Sequence, residues 1–563
     1  MEEYKGAEAF MEVLNASGVE KIFFNPGIDT VPVQVTVSRF MEQGKPTPGL
    51  VLCLDESVAM HAAHGHYMVS GRPQVVLVHR ELGTLQVGGA LLNAQWGRIP
   101  TILCAGSAAT AGRMTWKQES YDQGNMVRNC VKWDHEMGGD ENIHDVVQQA
   151  LQIASTEPCG PVYLSIPMEA FGKEVDKAST AAYTAEPAKQ IDPDILNKAA
   201  KILITAENPL ILVGHAGRHH ESVASLVELA EAVSARVITT LVRMNFPTNH
   251  PLCAGIDPIG GGSRNLSPYI TEADALLVID YDMPYAPGWI TPGADTRIIH
   301  IDIDINKQGA PLWGRVADIA IEANSRDVIP TLTEAVRQKL TPERQTLLGE
   351  RFIRLGNEHR ELRQNWYNLA VNKSKQRPIT PEWLAHCLAQ VVDEDMIILN
   401  QTITHSGSLG EHIFRTKPGT MLACAGGSIG WAPGAALGAK LAAPDKTVVS
   451  LTGDGGFVWG CPVATLWTAG SYRAPFLIVI YNNQAYGAIK GLVQRAYGED
   501  WMSDDMEFKT GVGILPSPDY SAVAKACGAY GRMVDDPADV MPALTEAIDQ
   551  VRGGRPAVVD VRL

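Results

Sequence analysis

The sequence predicts an α/β protein with three domains, each a doubly wound parallel sheet covered by helices on both faces. Short, fully apolar segments such as 210–213 and 275–279 alternate with amphipathic helical segments along the chain. Apolar strands that alternate with helices are typical of parallel sheets buried on both faces. The chain has 563 residues, which is too long for one hydrophobic core and favours three domains.

The predicted strands form three groups, separated by two segments that lack apolar periodicity. Residues 173–193 are predicted to be a linker, and residues 340–380 are predicted to contain a polar, highly charged helix. We therefore predict domains at 1–175, 190–340 and 375–563. The predicted strands are 21–24, 75–78, 101–104 and 162–164 in the first domain, 210–213, 275–279 and 298–301 in the second, and 447–451 and 476–480 in the third.

The first and third domains resemble each other in the placement of glycine and proline. Each has a glycine-containing loop after a strand, then a helix, and then a proline that opens the next strand, at Pro100 and Pro475. The similarity indicates an internal repeat, or else the punctuation that any two parallel α/β domains share.

The charge balance and the cysteines exclude several classes of protein. The 47 Lys and Arg residues are outnumbered by 63 Asp and Glu residues, a net charge of −16, whereas nucleic-acid binding needs a basic face. No apolar run approaches the length of about 18 residues that a membrane helix needs, and the acidic start of the chain is no secretory signal. Nine scattered cysteines without a Cys-x-x-Cys pair favour a cytoplasmic location over a disulfide framework.

Two polar motifs at strand ends predict a site for a metal ion and a diphosphate. Gly453-Asp454-Gly455-Gly456 follows one strand and opens a helix, and Asn482-Asn483 ends the next strand. Glycines let the backbone approach a diphosphate, and the amides at a helix amino terminus suit its charge. Asp454, Asn483 and the backbone carbonyl of Ala485 offer oxygen ligands for a hard octahedral cation. The alternative is a glycine turn and an unrelated pair of asparagines.

These motifs resemble those of the thiamine-diphosphate (ThDP) enzymes of the acetolactate synthase, benzoylformate decarboxylase and pyruvate decarboxylase superfamily. The resemblance covers essentially the whole chain and is strongest at residues 425–430, 434–438, 453–455 and 482–483. It implies a pyrimidine-binding, a central and a diphosphate-binding domain, in that order, with Mg²⁺ as the cation. It also implies cofactor contacts at Gly427, at Ile429 under the thiazolium ring, and at Asn400 and Thr404 beside the diphosphate.

Glu56 is the expected acid of the first domain, because it follows a strand and stands at a helix start. The resemblance implies that Glu56 hydrogen-bonds N1′ of the aminopyrimidine, and this bond favours the tautomer that activates the cofactor. The alternative is a solvated carboxylate that interacts with the helix dipole. Family members pair the glutamate of one subunit with the diphosphate site of another. The resemblance therefore implies a homodimer as the minimum active unit, and a homotetramer is common in the family.

The chain departs from the common family pattern at residues 79–86. Only Gly83 of a Gly-Pro-Gly remains there, and Gln86 stands where most relatives have a cofactor-binding asparagine. His79 matches a histidine of benzoylformate decarboxylase that serves in proton transfer, so we predict a catalytic role for it. A structural, hydrogen-bonded histidine is the alternative. Asp29 is a weaker candidate for contact with the substrate. Arg80 and Glu81 are expected to form a structural ion pair, and the alternative is that Arg80 holds a substrate carboxylate.

Two other ligand assignments are less favoured by the residues. His61, His64 and His66 suggest zinc. Helical spacing puts His61 and His64 on one face, but no third convergent ligand or general-base glutamate accompanies these two. FAD, which acetolactate synthases bind in the central domain, is not predicted, because residues 255–260 and 280–284 keep the flavin-contact pattern poorly.

The resemblance implies a Mg²⁺- and ThDP-dependent enzyme that acts on a small 2-oxo acid. Non-oxidative decarboxylation is the first expectation, on His79 and the Asn25-Pro26-Gly27 loop. Carboligation of the acetolactate synthase type, or cleavage of a ketone or acyl-CoA by a lyase or hydrolase, is the alternative. A nucleotide-binding dehydrogenase lacks the required Gly-x-Gly-x-x-Gly turn, and a non-catalytic scaffold would not need Glu56 and Asp454. The side chain of the substrate stays open.

Overall fold

Three parallel six-stranded sheets with flanking helices make up the protein, which confirms the predicted α/β class. Most of the predicted linker at 173–193 lies outside the described residues, and the domain boundaries stay a prediction. The computed structural model describes residues 4–109, 122–176, 191–257, 266–284, 290–307, 316–498, 501 and 504–563.

The first sheet lies near the amino terminus, and its core includes Phe10, Ile22 and Val75. Its strands are β1 (Lys21–Phe24), β2 (Gly49–Leu52), β3 (Gln74–Val78), β4 (Thr101–Ser107), β5 (Trp133–Glu136) and β6 (Val162–Pro167). They lie in the order β2-β1-β3-β4-β6-β5. The helices are α1 (Gly6–Ala16), α2 (Val31–Glu42), α3 (Glu56–Ser70), α4 (Arg80–Gln86), α5 (Gly88–Trp96), α6 (Ile143–Ser155) and α7 (Met168–Gly172).

The central sheet has the strand order of a classical dinucleotide fold. Its strands are β7 (Pro209–Val213), β8 (Arg236–Thr240), β9 (Cys253–Asp257), β10 (Ala275–Ile279), β11 (Arg297–Asp302) and β12 (Ile319–Glu322). They lie in the order β12-β11-β10-β7-β8-β9. The helices are α8 (Pro193–Thr205), α9 (His220–Val233), α10 (Ser267–Thr271), α11 (Ser325–Arg337) and α12 (Pro342–Asn372), and α12 is the polar helix that the sequence predicts.

The third sheet repeats the topology of the first. Its strands are β13 (Ile397–Gln401), β14 (Met421–Ala423), β15 (Val448–Gly453), β16 (Leu477–Asn482), β17 (Tyr530–Val534) and β18 (Ala557–Arg562). The order β14-β13-β15-β16-β18-β17 equals that of the first sheet when strands are counted from the start of each. The helices are α13 (Pro381–Val391), α14 (Ser406–His412), α15 (Trp431–Ala442), α16 (Asp454–Trp459), α17 (Pro462–Ser471), α18 (Gly487–Tyr497), α19 (Asp504–Thr510), α20 (Tyr520–Ala526) and α21 (Val540–Arg552).

The chain divides into two compact units. The first unit comprises Met1–Ala185, Cys424–Met533 and Glu546–Val561, and the second comprises Glu186–Ala423, Val534–Thr545 and Arg562–Leu563. Within the part of the chain that the structure describes, no helix has both the length and the apolar character of a membrane span.

Helices α3 and α15 pack closely inside the first unit. A Cβ atom at Gly65 would lie 1.9 Å from the carbonyl oxygen of Ala435, and one at Gly438 would lie 1.8 Å from that of Ala62. These distances leave no room for a side chain, so the glycines set the separation of the two helices. Because α3 begins at Glu56 and α15 begins two residues after Ile429, this contact positions two of the predicted cofactor residues.

Candidate functional site

Polar residues collect where three neighbouring strands of the first sheet end. Asp29 follows β1, Glu56 follows β2 and His79 follows β3, and these three strands are neighbours in the sheet. The carboxyl ends of parallel strands meet at one edge, which is where ligands bind in open α/β sheets. The structure therefore brings together three residues that lie far apart in the sequence.

Glu56 is the first residue of α3 and is half-buried. Asp55 caps the helix, because its side chain accepts hydrogen bonds from the backbone amides of Ser57 and Val58. A Cβ atom at Gly83 would lie 3.3 Å from Oε1 of Glu56, so the carboxylate lies against the first turn of α4. The glycine at position 83 leaves this approach open.

His79 contacts Asp29 directly. Its Nδ1 is hydrogen-bonded to Oδ1 of Asp29, whose side chain is fully buried, whereas 21 % of the His79 side chain is exposed. Asp29 thus lies behind the histidine rather than on the open surface. The sequence singled out both residues but not their contact.

Gln86 and Arg80 lie on the same short helix, α4. Gln86 is exposed, and its Nε2 donates a hydrogen bond of 3.2 Å to Oδ2 of Asp55. This places Gln86 beside the amino terminus of α3, where Glu56 stands. Arg80 is buried and has a left-handed φ of 44°, and Oε2 of Glu81 is buried without a hydrogen-bond partner among the described residues.

The second polar edge lies in the third sheet, around Asp454. Asp454 is the first residue of α16, directly after β15, and its carboxylate is buried. Oδ1 accepts a hydrogen bond of 2.9 Å from the amide of Gly455, and Oδ2 has no partner within the described residues. Burial raises the pKa of Asp454 to about 6, although hydrogen bonds from backbone amides act in the opposite direction.

The Asn482-Asn483 turn lies beside this carboxylate. The backbone amides of Gln484 and Ala485 act on Asp454, which brings the two predicted motifs together. Asn482 is buried, and its Nδ2 donates a hydrogen bond of 2.8 Å to Asp560. Asn483 is only half-buried, and its Oδ1 accepts a bond of 3.2 Å from the amide of Ala485. An unpartnered buried carboxylate oxygen beside an amide oxygen fits a bound cation.

Within Gly453–Gly456, only Gly453 has open space around its Cβ position. No atom of the described residues comes closer to that position than 4.0 Å, whereas a Cβ atom at Gly455 would lie 2.9 Å from the ring of Tyr486. Gly456 has no such space, because its Cβ would lie 2.5 Å from Oγ1 of Thr452. The amino terminus of α16 therefore offers an approachable backbone at Gly453 and a tight turn behind it, as the diphosphate assignment requires.

Asn93 was missed by the sequence reasoning, although it holds the loop that carries Ile429. Its Nδ2 donates a bond of 2.9 Å to the carbonyl of Ser428, and its Oδ1 accepts a bond of 3.1 Å from the amide of Ser428. Asn93 is fully buried in the mostly apolar helix α5. An asparagine among mostly apolar residues was the signal that the sequence offered. Gly427 is exposed and Ile429 half-buried in the same loop.

Asn400 and Thr404 belong to the second unit. Asn400 is buried at the end of β13, and its Oδ1 accepts hydrogen bonds from the amide and the hydroxyl of Thr402, at 3.0 and 2.9 Å. These bonds give Asn400 the role of holding the turn. Thr404 is exposed in that turn, and both cofactor assignments stay predictions.

The three histidines of α3 are buried in the first unit. Burial lowers the pKa of His61 and of His66 to about 4, so these rings are neutral. His64 packs edge-on against Trp431 with ring centroids 5.3 Å apart. Within the described residues, no group of three or more His, Cys, Asp or Glu side chains is placed to hold a metal ion.

The strand ends of the central sheet carry a partly buried ionic network, in which Asp280 and Asp302 are buried and Asp282 is exposed. Arg218 pairs with Asp280, and Lys307 pairs with Asp302 at 2.7 Å and with Asp282 at 3.0 Å. Three carboxylates at one strand edge do not favour the phosphates of a dinucleotide. The network therefore adds no support for FAD.

Comparison with known proteins finds family models that match three parts of the chain. Models of the thiamine pyrophosphate enzyme family match the N-terminal TPP binding domain at residues 4–126, the central domain at 196–332 and the C-terminal TPP binding domain at 404–561. Thiamine pyrophosphate (TPP) is a synonym of ThDP.

Curated relatives extend over nearly the whole chain. Benzoylformate decarboxylase from Pseudomonas aeruginosa is 27 % identical, and the match covers 98 % of each protein. A probable acetolactate synthase large subunit from Methanocaldococcus jannaschii is 28 % identical, over 97 % of this chain and 90 % of the relative. Both named enzymes belong to the superfamily that the motifs indicate.

Solved structures share the fold. Benzoylformate decarboxylase from Polynucleobacter necessarius superposes with a TM-score of 0.81 at 21 % identity, over 100 % of this chain and 98 % of that one. The thiamine diphosphate-dependent 4-hydroxybenzoylformate decarboxylase from Rhodococcus jostii RHA1 gives a TM-score of 0.79 at 24 % identity, over 99 % of each chain. The family models match three domains of the chain, and the first and third sheets carry the polar edges described above. The chain therefore belongs to the thiamine pyrophosphate enzyme family.

Proposed function

We propose that this ThDP enzyme decarboxylates a 2-oxo acid without oxidation and releases an aldehyde. The observation that carries the proposal is the strand-end cluster of the first sheet, in which His79 lies on the same edge as Glu56. The printed names of the benzoylformate decarboxylase relatives support the same reaction. The acetolactate synthase relatives support the second candidate, carboligation of the acetolactate synthase type.

The proposed cofactor site joins the polar edge of the first sheet in one subunit with the polar edge of the third sheet in another subunit. Asp454, Asn483 and the carbonyl of Ala485 would hold Mg²⁺, and the backbone at Gly453–Gly456 would bind the diphosphate. The remaining proposed contacts are Glu56 and Gln86 in the first domain, Asn400 and Thr404 after β13, and Gly427 and Ile429 before α15. When bound, ThDP supplies a nucleophilic carbon and an electron sink for decarboxylation.

Two side chains of the first domain would handle protons. The Glu56 carboxylate would share a proton with N1′ of the aminopyrimidine, and Gly83 leaves room for its approach. Nε2 of His79, opposite the nitrogen that contacts Asp29, would deliver a proton to the substrate-derived carbon or orient the carboxylate that leaves as CO₂.

The proposed assembly is a homodimer at least, with a homotetramer as the form common in the family. Large apolar side chains on α16 and α17 support an interface, because Trp459 is 58 % exposed and Val463 59 % exposed. A second copy of the chain would cover them. All nine cysteines are free thiols, which supports the predicted reducing, cytoplasmic location.

Product analysis tests the reaction. The protein with Mg²⁺ and ThDP is incubated separately with pyruvate, benzoylformate and branched 2-oxo acids, and CO₂, aldehyde, acyloin and acetohydroxyacid are measured. We expect CO₂ and an aldehyde from at least one acid. An acetohydroxyacid as the main product would favour carboligation, and the absence of CO₂ would favour cleavage of a ketone or acyl-CoA.

The Glu56→Gln variant tests the cofactor assignment. We expect it to bind ThDP yet exchange the thiazolium C2 proton slower by about 100-fold or more, because the amide cannot share a proton with N1′. The Glu42→Gln variant is the matched control, since Glu42 is exposed at the end of α2. Unchanged exchange in Glu56→Gln would show that another group activates the cofactor.

A further inference from the structure

A carboxylate buried behind a partly exposed histidine is the feature from which this inference starts. Asp29 is buried, and its Oδ1 is hydrogen-bonded to Nδ1 of His79. The histidine is the first residue after β3, and Asp29 lies in the short turn after the neighbouring strand β1. Among the described residues, no hydrogen bond of His79 Nε2 is found, so one ring nitrogen is engaged and the other is available.

Two glycines make this contact possible. A Cβ atom at Gly27 would lie 2.3 Å from Nδ1 of His79, and one at Gly106 would lie 1.9 Å from Oδ2 of Asp29. Both distances are far below van der Waals contact, so any other residue would displace the ring or the carboxylate. The glycines enclose the pair from the ends of β1 and β4.

The pair dictates which nitrogen of His79 carries the proton. An ionised carboxylate only accepts hydrogen bonds, so Nδ1 must donate to Asp29, and the neutral ring then keeps its lone pair on Nε2. Glu56 on α3 and Arg80 and Glu81 on α4 are further charged residues near these strand ends. Among the carboxylates of the described residues, Asp29 is the one that is hydrogen-bonded to the ring of His79.

We propose that Asp29 is a positioning residue that fixes the orientation and tautomer of His79, so that Nε2 is presented to the substrate. The inference rests on the proposed function, in which His79 moves a proton or orients a carboxylate. It differs from the sequence-based expectation, which gave Asp29 a direct contact with the substrate. A carboxylate that orients a catalytic imidazole in this way is a general device of enzymes.

The reactivity of His79 tests the proposal without substrate or cofactor. Diethyl pyrocarbonate acylates a ring nitrogen that has a lone pair, and peptide mass spectrometry gives the rate for each histidine of the full chain. In Asp29→Asn, the amide can donate to Nδ1 and place the proton on Nε2. We expect labelling of His79 to slow by about tenfold. His135, whose side chain is 29 % exposed, is the internal control and keeps its rate.

A second variant displaces the carboxylate of Asp29 without replacing Asp29 itself. Gly106→Ala would push a methyl group against Oδ2 of Asp29, and we expect altered labelling of His79 in this variant as well. The matched control is Gly172→Ala at the end of α7, because a Cβ atom there would meet no atom of the described residues within 4 Å. Unchanged labelling of His79 in both Asp29→Asn and Gly106→Ala would overturn the proposal.

Kinetics separate positioning from substrate contact. With a 2-oxo acid that the enzyme turns over, we expect Asp29→Asn to lower kcat by about 100-fold, with KM changed by less than about threefold. A raised KM with unchanged kcat and unchanged labelling would overturn the proposal, because Asp29 would then contact the substrate. Since labelling needs no turnover, it still tests Asp29 if the proposed decarboxylation itself fails.

Discussion

Replacing Asp454 by asparagine tests the proposed metal site through the pH dependence of stability. Burial raises the pKa of Asp454 to about 6 in the folded protein, whereas an unperturbed aspartate titrates near about 4. The folded chain therefore binds this proton more tightly than the unfolded chain does. Asp454 thus contributes stability that is fully present below about pH 4 and is lost as the pH rises through about 6.

The size of the contribution of Asp454 to stability follows from the shift of its pKa. One pKa unit corresponds to about 1.4 kcal/mol, so the whole contribution is about 3 kcal/mol. About half of it falls between pH 5 and pH 8. Asparagine does not titrate, so the stability of Asp454→Asn lacks this pH-dependent contribution. Any other effect of the amide on stability is the same at both pH values. At about 2 °C per kcal/mol, the Tm of the wild type should gain about 3 °C over that of the variant on going from pH 8 to pH 5.

Differential scanning calorimetry of the protein freed of metal and ThDP measures this difference at both pH values. The matched control is Asp140→Asn, because Asp140 is exposed, and its Tm should follow that of the wild type. A difference between wild type and Asp454→Asn that does not change with pH would refute the reasoning. Adding Mg²⁺ and ThDP should then raise the Tm of the wild type and leave that of Asp454→Asn nearly unchanged.

Three other substitutions test contacts within each of the two compact units. Gly65→Ala should lower the free energy of unfolding by about 1–3 kcal/mol, because its Cβ would lie 1.9 Å from a carbonyl oxygen of α15. Gly470→Ala is the control, because its Cβ would meet no atom of the described residues within 4 Å. Equal Tm values for the two variants would contradict the prediction. Lys307→Met should lower the free energy of unfolding, measured by urea denaturation, by about 3–5 kcal/mol, because it removes the cation that pairs with the buried carboxylate of Asp302. Adding Asp302→Asn to this variant should recover most of the lost stability. Asn93→Ala removes two hydrogen bonds to the loop before α15 and should weaken ThDP binding by about tenfold in calorimetric titration with Mg²⁺; unchanged affinity would show that the loop holds itself.

The fold could be predicted because its signals are local. The predicted strand at 275–279 coincides with β10, and the one at 21–24 with β1. Apolar runs bounded by glycine and proline mark buried parallel strands whatever their neighbours are. Asp454 and Asn483 could be paired for a related reason, since β15 and β16 are successive strands and also lie side by side.

Other parts of the site depend on contacts that no local pattern encodes. His79 and Asp29 are 50 positions apart, and Asn93 and Ser428 are 335 apart. The first contact exists because β3 lies beside β1 although β2 comes between them in the sequence. The second exists because the amino- and carboxyl-terminal parts of the first unit pack together.

The amino-acid sequence by itself determined the α/β class, the strand positions and the residue types that stand at the strand ends. Those features depend on periodicity and on the backbone preferences of glycine and proline, which act over a few residues. Only the tertiary structure decided that Asp29 lies behind His79 and that Asn93 holds the Ile429 loop. It also decided that Oδ2 of Asp454 is buried without a hydrogen-bond partner among the described residues. Burial and hydrogen-bond partners are properties of the packed chain, because both depend on segments that meet only when the sheets and helices assemble.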